Sequence, residues 1–272
     1  MSPNPSKKPE KNDARRALVV VDPQNDFCDP KGSLFVPGAD DDMRRLAAHI
    51  RTQGASYDEI VVSLDSHDVV AIFHPKYWLG RDGGHPAPFT LVSQADFANA
   101  TWRPASERNE ANTRQTFDVM ARKKIDALMV WPEHCVVSTW GHGIFAPLLE
   151  AFAEWRGATG QAVRYVFKGE NPYTDQFSVF EGIDDTWPDM RFREELFERL
   201  AGADFVTFAG EALSHCVEAS IVSYMTRARV HGGLKDQRVR LLSDCTSPVA
   251  GFDRAKSERR IAELGVILTK SE

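Results

Sequence analysis

Cysteine is scarce in this chain. The 272 residues hold four, Cys28, Cys135, Cys216 and Cys245, far apart from one another. So few and so scattered, they cannot form the disulfide framework of a small secreted domain. Free thiols in a reducing cytosol are the expectation, and the first residues show no apolar core behind a basic start that would suggest a secretory signal. Long hydrophobic runs are also missing. The longest, such as Ala17–Val21, stay under ten residues, against the ~20 needed to cross a bilayer, so no membrane partner is expected. Positive charge is in deficit as well. Lys plus Arg number 33 against 39 Asp plus Glu, a net charge of −6. The bulk charge therefore offers nucleic acid no footprint. With 42% hydrophobic and 26% charged residues, the composition is that of a globular chain rather than a disordered or fibrous one.

Met1–Arg16 is rich in Pro, Lys, Asn and Ser and nearly free of apolar side chains. It reads as a disordered tail (1–16) ahead of one folded domain (17–272). From there, short apolar strands alternate with amphipathic helical stretches. Strands are expected at Ala17–Val21, Glu59–Leu64, Ala127–Trp131, Ala162–Phe167, Asp204–Ala209 and Arg238–Leu242. Helices are expected at Asp40–Thr52, Ile144–Trp155, Arg191–Leu200, Cys216–Arg229 and Phe252–Leu264, the last closing the fold. Alternation of this kind implies an α/β fold, a three-layer αβα sandwich around a mostly parallel six-stranded sheet with helices on both faces. A long insertion, about 75–124, separates strands two and three. Its turn-rich stretches RDGGHPAP and TWRP suggest a lid, a pocket wall or an oligomer contact rather than a second core.

In such sheets ligands bind at the carboxyl ends of the strands, and here chemistry collects at those ends. Strand one runs into Asp22, which suits either catalysis or a local cap. Strand two runs into Asp65-Ser66-His67, with His74 seven residues beyond His67. A carboxylate and an imidazole two apart on an extended segment point to one side and suit a divalent transition metal. Strand three adds His134, strand four Lys168. Strand five leads through Gly210–His215 to Cys216 near a helix start, where the helix dipole lowers a thiol pKa and free N–H groups can hold an oxyanion. Each of these residues also has an ordinary structural alternative: a capping Asp, a snorkelling Lys, an inert buried Cys. Five chemically equipped strand ends out of six are harder to explain that way.

The motifs VVVDPQNDFCDPKGSL, LDSHD, WPEHCV, VFKGENP and AGEALSHCVEA follow one another in this order from Val19 onward. Together they resemble the nicotinamidase and isochorismatase-like cysteine hydrolases, over about Ala17 to Leu242, and WPEHCV with the metal-type pattern favours the nicotinamidase branch. The resemblance implies a catalytic triad of Asp22, Lys168 and Cys216, and metal ligands Asp65, His67 and His134. His74 matches a further ligand position whose spacing varies among members. Phe27 and Trp131 match positions that enclose an aromatic substrate ring. A cis peptide is implied at Glu211–Ala212, with the backbone N–H groups of Ala212 and Cys216 as the oxyanion hole.

The implied activity is hydrolysis of a small, aromatic amide to a carboxylic acid and ammonia through a thioester, with nicotinamide to nicotinate foremost. It would use one divalent metal, zinc, iron or manganese, in a cytoplasmic homo-oligomer. Two other readings stand beside it. One is a metal-free hydrolase of an N-carbamoyl or ureido compound; the other is a non-catalytic small-molecule-binding protein. Departures from the family pattern are Pro23 after the Asp, the long insertion, and Ser138–His142, where Trp140 and His142 are expected to reshape the pocket. His215 and Cys135, beside proposed site residues, are read as packing groups.

Overall fold

Strand β1 (Arg16–Val21) sends its side chains alternately into two hydrophobic cores. Leu18 and Val20 join Ile60, Val62 and Leu64 in one, while Ala17, Val19 and Val21 join Val206 and Phe208 in the other. Both faces of the strand are covered, as its unbroken β-branched run requires. The computed structural model describes residues 14–232 and 237–271. Residues 1–13 of the expected tail lie outside the described residues. The chain is held from Arg15 onward, whose N–H donates to Asp204 Oδ2 at 2.6 Å, so the strand begins one residue inside that expected tail.

The remaining strands are β2 (Glu59–Asp65), β3 (Trp78–Gly80), β4 (Thr90–Ser93), β5 (Trp102–Pro104), β6 (Ala127–Val130), β7 (Arg164–Lys168), β8 (Phe205–Gly210), β9 (Arg238–Leu242) and β10 (Ile267–Thr269). The helices are α1 (Asn25–Cys28), α2 (Ala39–Gln53), α3 (Gln94–Ala98), α4 (Glu110–Arg122), α5 (Ala146–Thr159), α6 (Glu194–Ala201), α7 (Glu218–Val230) and α8 (Arg254–Glu263). Six strands form one sheet in the order β10-β9-β8-β1-β2-β7, every pair parallel. Buried residues of α2 and α5 pack in the Leu18 core, and those of α6, α7 and α8 in the Val19 core, which makes the three layers. No helix among the described residues is long and apolar enough to cross a membrane.

Two expectations need correction. The apolar run 127–131 does form a strand, but β6 pairs antiparallel with β4 in a separate two-stranded sheet. The sixth strand of the main sheet is instead β10, beyond the helix expected to close the fold. An apolar run specifies burial, not which edge it pairs with. The insertion is also more than turns. It holds α3, α4 and the strands β3 to β5, with β3 paired to β5. Tyr77, Trp78, Val92, Phe117 and Met120 are buried in the same core as Leu18, so it is a wall of the main domain.

Candidate active site

Four adjacent strands, β8, β1, β2 and β7, end around one ammonium group. The order of the sheet reverses direction at β1, which opens a crevice at the carboxyl ends. Lys168, the last residue of β7, is fully buried there. Its Nζ lies 2.9 Å from Asp22 Oδ2, 2.7 Å from Asp65 Oδ1 and 3.5 Å from Cys216 Sγ, and it donates to the Gln176 carbonyl at 3.1 Å. Asp22 has a left-handed backbone, φ 44°. Ser63 holds it on two sides: Asp22 N–H donates to Ser63 Oγ at 3.1 Å, and Ser63 Oγ–H donates to Asp22 Oδ1 at 2.6 Å. Cys216 sits in a wide π-type turn, Leu213–Val217, that leads into α7, and the Glu211–Ala212 peptide before it is cis.

The electrostatics differ from the sequence expectation at the thiol. Burial pushes Cys216 well up, Lys168 pulls it down, and Asp22 and Asp65 push it up again. The resting group is therefore a thiol, not the dipole-stabilised thiolate. Burial also raises Asp22, against the pull of Lys168. Burial opposes the charge on Lys168, but Asp22 and Asp65 outweigh it and hold the cation. For Asp65, burial raises the carboxyl, yet His67 and Lys168 together bring it far below the usual range. A raised base and a raised thiol around a fixed cation make a proton relay between Cys216 and Asp22 feasible at neutral pH.

One wall of the crevice carries donors for a metal. Asp65, His67 and His134 offer ligand atoms within 4.8 Å of one another, all buried. His67 Nε2 is 3.1 Å and His134 Nε2 is 3.8 Å from Asp65 Oδ2. Each ring's Nδ1 faces a carbonyl, Gly169 at 2.9 Å and Pro132 at 2.8 Å. Those carbonyls accept Nδ1–H, which turns both Nε2 atoms toward Asp65. Burial, then the neighbouring His67, push His134 down to about 3, so its imidazole is neutral. His67 is drawn the other way: burial lowers it, but Asp65 outweighs that and raises it, so a bound ion would take the place of its Nε2 proton. One carboxylate and two imidazoles fit a divalent transition metal. His74 reaches the group's outer side: its Nε2 is 3.4 Å from His134 Nδ1, and it is not one of the three clustered donors. His134 does not arrive on a strand of the main sheet. A single parallel bridge between His67 and Val136 docks its loop beside β2.

Phe27 and Trp131 both line this cleft, which encloses about 380 Å³, part of it open to solvent. Leu34, Asp175, Phe177, His215 and Val249 line it too, and the sequence reading missed them as lining groups. His215 bonds locally, as expected, through Nδ1 to Ser214 Oγ at 2.8 Å, but its ring also packs edge-on to Trp131 at 5.1 Å. Asp175 adds a carboxyl to the lining besides Asp65, pushed up to about 6 by burial and then by Asp65. Trp140 and His142 do not reshape the pocket. Trp140 is exposed, and His142 turns away to Ser66 Oγ at 2.9 Å and stacks over Phe167.

Two supporting groups were missed as well. Gln24 clamps the Asp65 backbone at both N–H and C=O, each at 2.7 Å. Asp26 accepts the Cys135 N–H at 2.7 Å and so seats the loop that carries His134. Asp22-Pro-Gln-Asn-Asp held the signal for both, as polar residues that end up buried beside a strand end.

No family model matches the chain. It is 24% identical to the nicotinamidase of Saccharomyces cerevisiae over 208 residues, 76% of this chain and 80% of that protein. The solved structure of that yeast protein superposes with a TM-score of 0.66 at 22% identity, covering 93% of this chain and 99% of the other. The nicotinamidase/pyrazinamidase of Mycobacterium tuberculosis is 26% identical over 235 residues, 86% and 88% of the two chains. The pyrazinamidase of Pyrococcus horikoshii, solved in complex with zinc, gives a TM-score of 0.56 at 21% identity over 94% and 99%. The resemblance carried by the motifs thus extends along the chain, and the fold is that of the nicotinamidases.

Proposed function

We propose that this chain, with the nicotinamidase fold, is a metal-containing cysteine amidase that converts nicotinamide and water to nicotinate and ammonia. The observation that carries this reading is Lys168 Nζ, 2.9 Å from Asp22 Oδ2 and 3.5 Å from the Sγ of Cys216, which lines a cleft with Phe27 and Trp131. Cys216 is the nucleophile. Ser63 has a single hydroxyl hydrogen, and one of its lone pairs takes Asp22 N–H. That hydrogen goes to Asp22 Oδ1, so the proton leaving Cys216 lands on Oδ2. The sulfur attacks the amide carbon, and the oxyanion is received by the N–H groups of Ala212 and Cys216, a stabilisation worth roughly 3 kcal/mol per donor in other hydrolases. Asp22 returns the proton to the leaving nitrogen, ammonia departs, and a thioester remains on Cys216. Asp22 then takes a proton from water, whose oxygen attacks the thioester, and the acid and the thiol are released.

Asp65, His67 and His134 would hold one divalent ion, zinc, iron or manganese, with His74 supporting His134 from behind. When bound, that ion supplies a Lewis-acidic anchor for the pyridine nitrogen. The ring lies between Phe27 and Trp131. The four unpaired, buried cysteines fit a reducing, cytoplasmic setting, and the assembly is read as a homo-oligomer.

The test is ammonia release from nicotinamide by purified protein of measured metal content, with Cys216→Ala in parallel. Release that vanishes in the variant supports the reading. No release from metal-loaded protein whose Cys216 still reacts with a thiol probe removes nicotinamide. A metal-free protein active on an N-carbamoyl compound instead selects the rival hydrolase.

A further inference from the structure

Two buried carboxyl groups behind the nucleophile have no part in the reaction above. Asp42 lies in the first turn of α2 and Glu211 directly follows β8; they are 2% and 0% exposed. Each carboxyl acts on the other as a hydrogen-bonding neighbour, and Ser247 acts on both. Each has one oxygen engaged. Arg45 Nη2 binds Asp42 Oδ1, and Ser247 N–H donates to Glu211 Oε2 at 3.0 Å. The other two oxygens, Asp42 Oδ2 and Glu211 Oε1, meet no well-aligned donor among the described residues, although the Ser247 hydroxyl also acts on Asp42 and draws its carboxyl down. Two ionised carboxylates can only accept, and facing each other they repel. A single proton between them turns one into a donor and resolves both the repulsion and the missing partner.

The surrounding charges leave this as the economical solution. On α2 are Asp40, Asp41 and Arg45, the last engaged by Asp42. On α8, Arg254 pairs with Glu258 at 3.1 Å and donates to the Thr246 carbonyl and to Ser247 Oγ. Asp244, Cys245 and Lys270 border the same groove or Asp42 itself, and the buried Cys28 thiol faces Glu211 from α1. Asp42 has a cation of its own; Glu211 feels Arg254 only at a distance. Burial pushes Glu211 well above the usual carboxyl range, with Asp42 adding to it.

Glu211 also stands at a junction. Its N–H donates to the Val21 carbonyl at 2.8 Å, Gly210 N–H to the Cys245 carbonyl at 3.0 Å, and Leu213 N–H to the Ser247 carbonyl at 2.8 Å. These bonds tie the end of β1, the segment 245–247 and the turn carrying Cys216. We propose that Asp42 and Glu211 share one proton and act together as positioning residues, locking the segment Gly210–Cys216 in register with Asp22. The positioning role rests on the amidase reading; the shared proton does not.

The first measurement is the melting temperature of the full chain from pH 5 to 9.5, for wild type, Glu211→Gln and Asp42→Asn. A carboxyl raised on folding contributes stability that is complete below its unfolded value of 4.5 and is lost as pH rises through the folded value. The wild-type curve should therefore fall toward alkaline pH. Glu211→Gln donates through its amide at every pH and should flatten that fall, crossing above wild type on the alkaline side. Parallel wild-type and Glu211→Gln curves overturn the shared proton.

The second measurement is positioning. Glu211→Ala should lower kcat on nicotinamide roughly 10-fold or more with KM nearly constant, and Glu211→Gln should restore most of it. Iodoacetamide labelling of Cys216 should slow and recover in the same pattern, whichever amide is the substrate. If wild type leaves nicotinamide intact, the substrate reading fails while melting and labelling still decide this one. Labelling and kcat damaged equally by Gln and Ala overturn the positioning role, and if Glu211→Ala does not fold, Asp42→Asn takes its place.

Discussion

Gly169→Ala isolates the metal wall from the nucleophile. Gly169 follows Lys168 with φ +73° and accepts His67 Nδ1–H on its carbonyl. A Cβ placed there would overlap His67 Cε1 and lie 2.8 Å from His67 Nδ1 and 2.9 Å from Asp65 Oδ1. The left-handed backbone costs an alanine ~1 kcal/mol, and forcing the imidazole aside in a packed wall costs a further ~1–3 kcal/mol. For a domain of this size that lowers Tm by about 5–15 °C. The ring must retreat by about 1 Å, several times the ~0.2 Å that metal–ligand distances tolerate. Metal affinity should fall at least ~10-fold and kcat/KM by about 100-fold. The assay is metal retained per chain after dialysis, with Tm and kcat/KM on the same samples. Gly157→Ala is the control: it lies in α5, with nothing within 4 Å of its Cβ position, and should be neutral or slightly stabilising. Full metal retention with kcat/KM near wild type in Gly169→Ala would refute the assignment of His67 and Asp65 as ligands.

Ser63→Ala strands the buried Asp22 N–H and frees Oδ1, at ~1–3 kcal/mol per group; kcat should fall more than KM rises, and Ser63→Thr should recover it. Lys168→Met leaves Asp22 and Asp65 buried together without their cation, a loss of ~3–5 kcal/mol, seen as a large drop in Tm and no ammonia release; a Tm matching wild type would count against the pairing. Gly141→Ala places a methyl onto the Asp26 carboxylate and should cost metal through the Cys135 tether, leaving Cys216 labelling intact. His215 is held down to about 4 by burial, against 6.5 when free. A depressed imidazole loses stability as pH falls from 6.5 toward 4, up to ~3 kcal/mol. His215→Phe should flatten the Tm–pH curve in that window, and an unchanged slope would show that the ring titrates normally.

The legible part of this protein is what depends on local pattern. Ala17–Val21, with five consecutive apolar side chains, could only be a strand covered on both faces, and α2 showed its stripe at Met43, Leu46, Ala47 and Ile50. The chemically equipped strand ends were visible because Asp22, Asp65, Lys168 and Cys216 each follow or close such a run. The run 127–131 misled because the same apolar residues serve an antiparallel partner in the insertion as well as a parallel one in the sheet. Asp175 and Ser63 carried no signal, since a polar residue destined for burial looks like any other until its partner is known.

Residue identity and spacing determined the α/β alternation, the acidic balance and the inventory of carboxylate, imidazole, ammonium and thiol groups. Tertiary structure alone decided that Lys168 stands between Asp22 and Asp65, that His134 docks beside β2 from outside the sheet, and that Asp42 faces Glu211. Those meetings join segments from about seventy to nearly one hundred and seventy residues apart. They are set by strand register and by turns such as those at Asp22 and Gly169, which bring distant residues together through packing that no local pattern encodes.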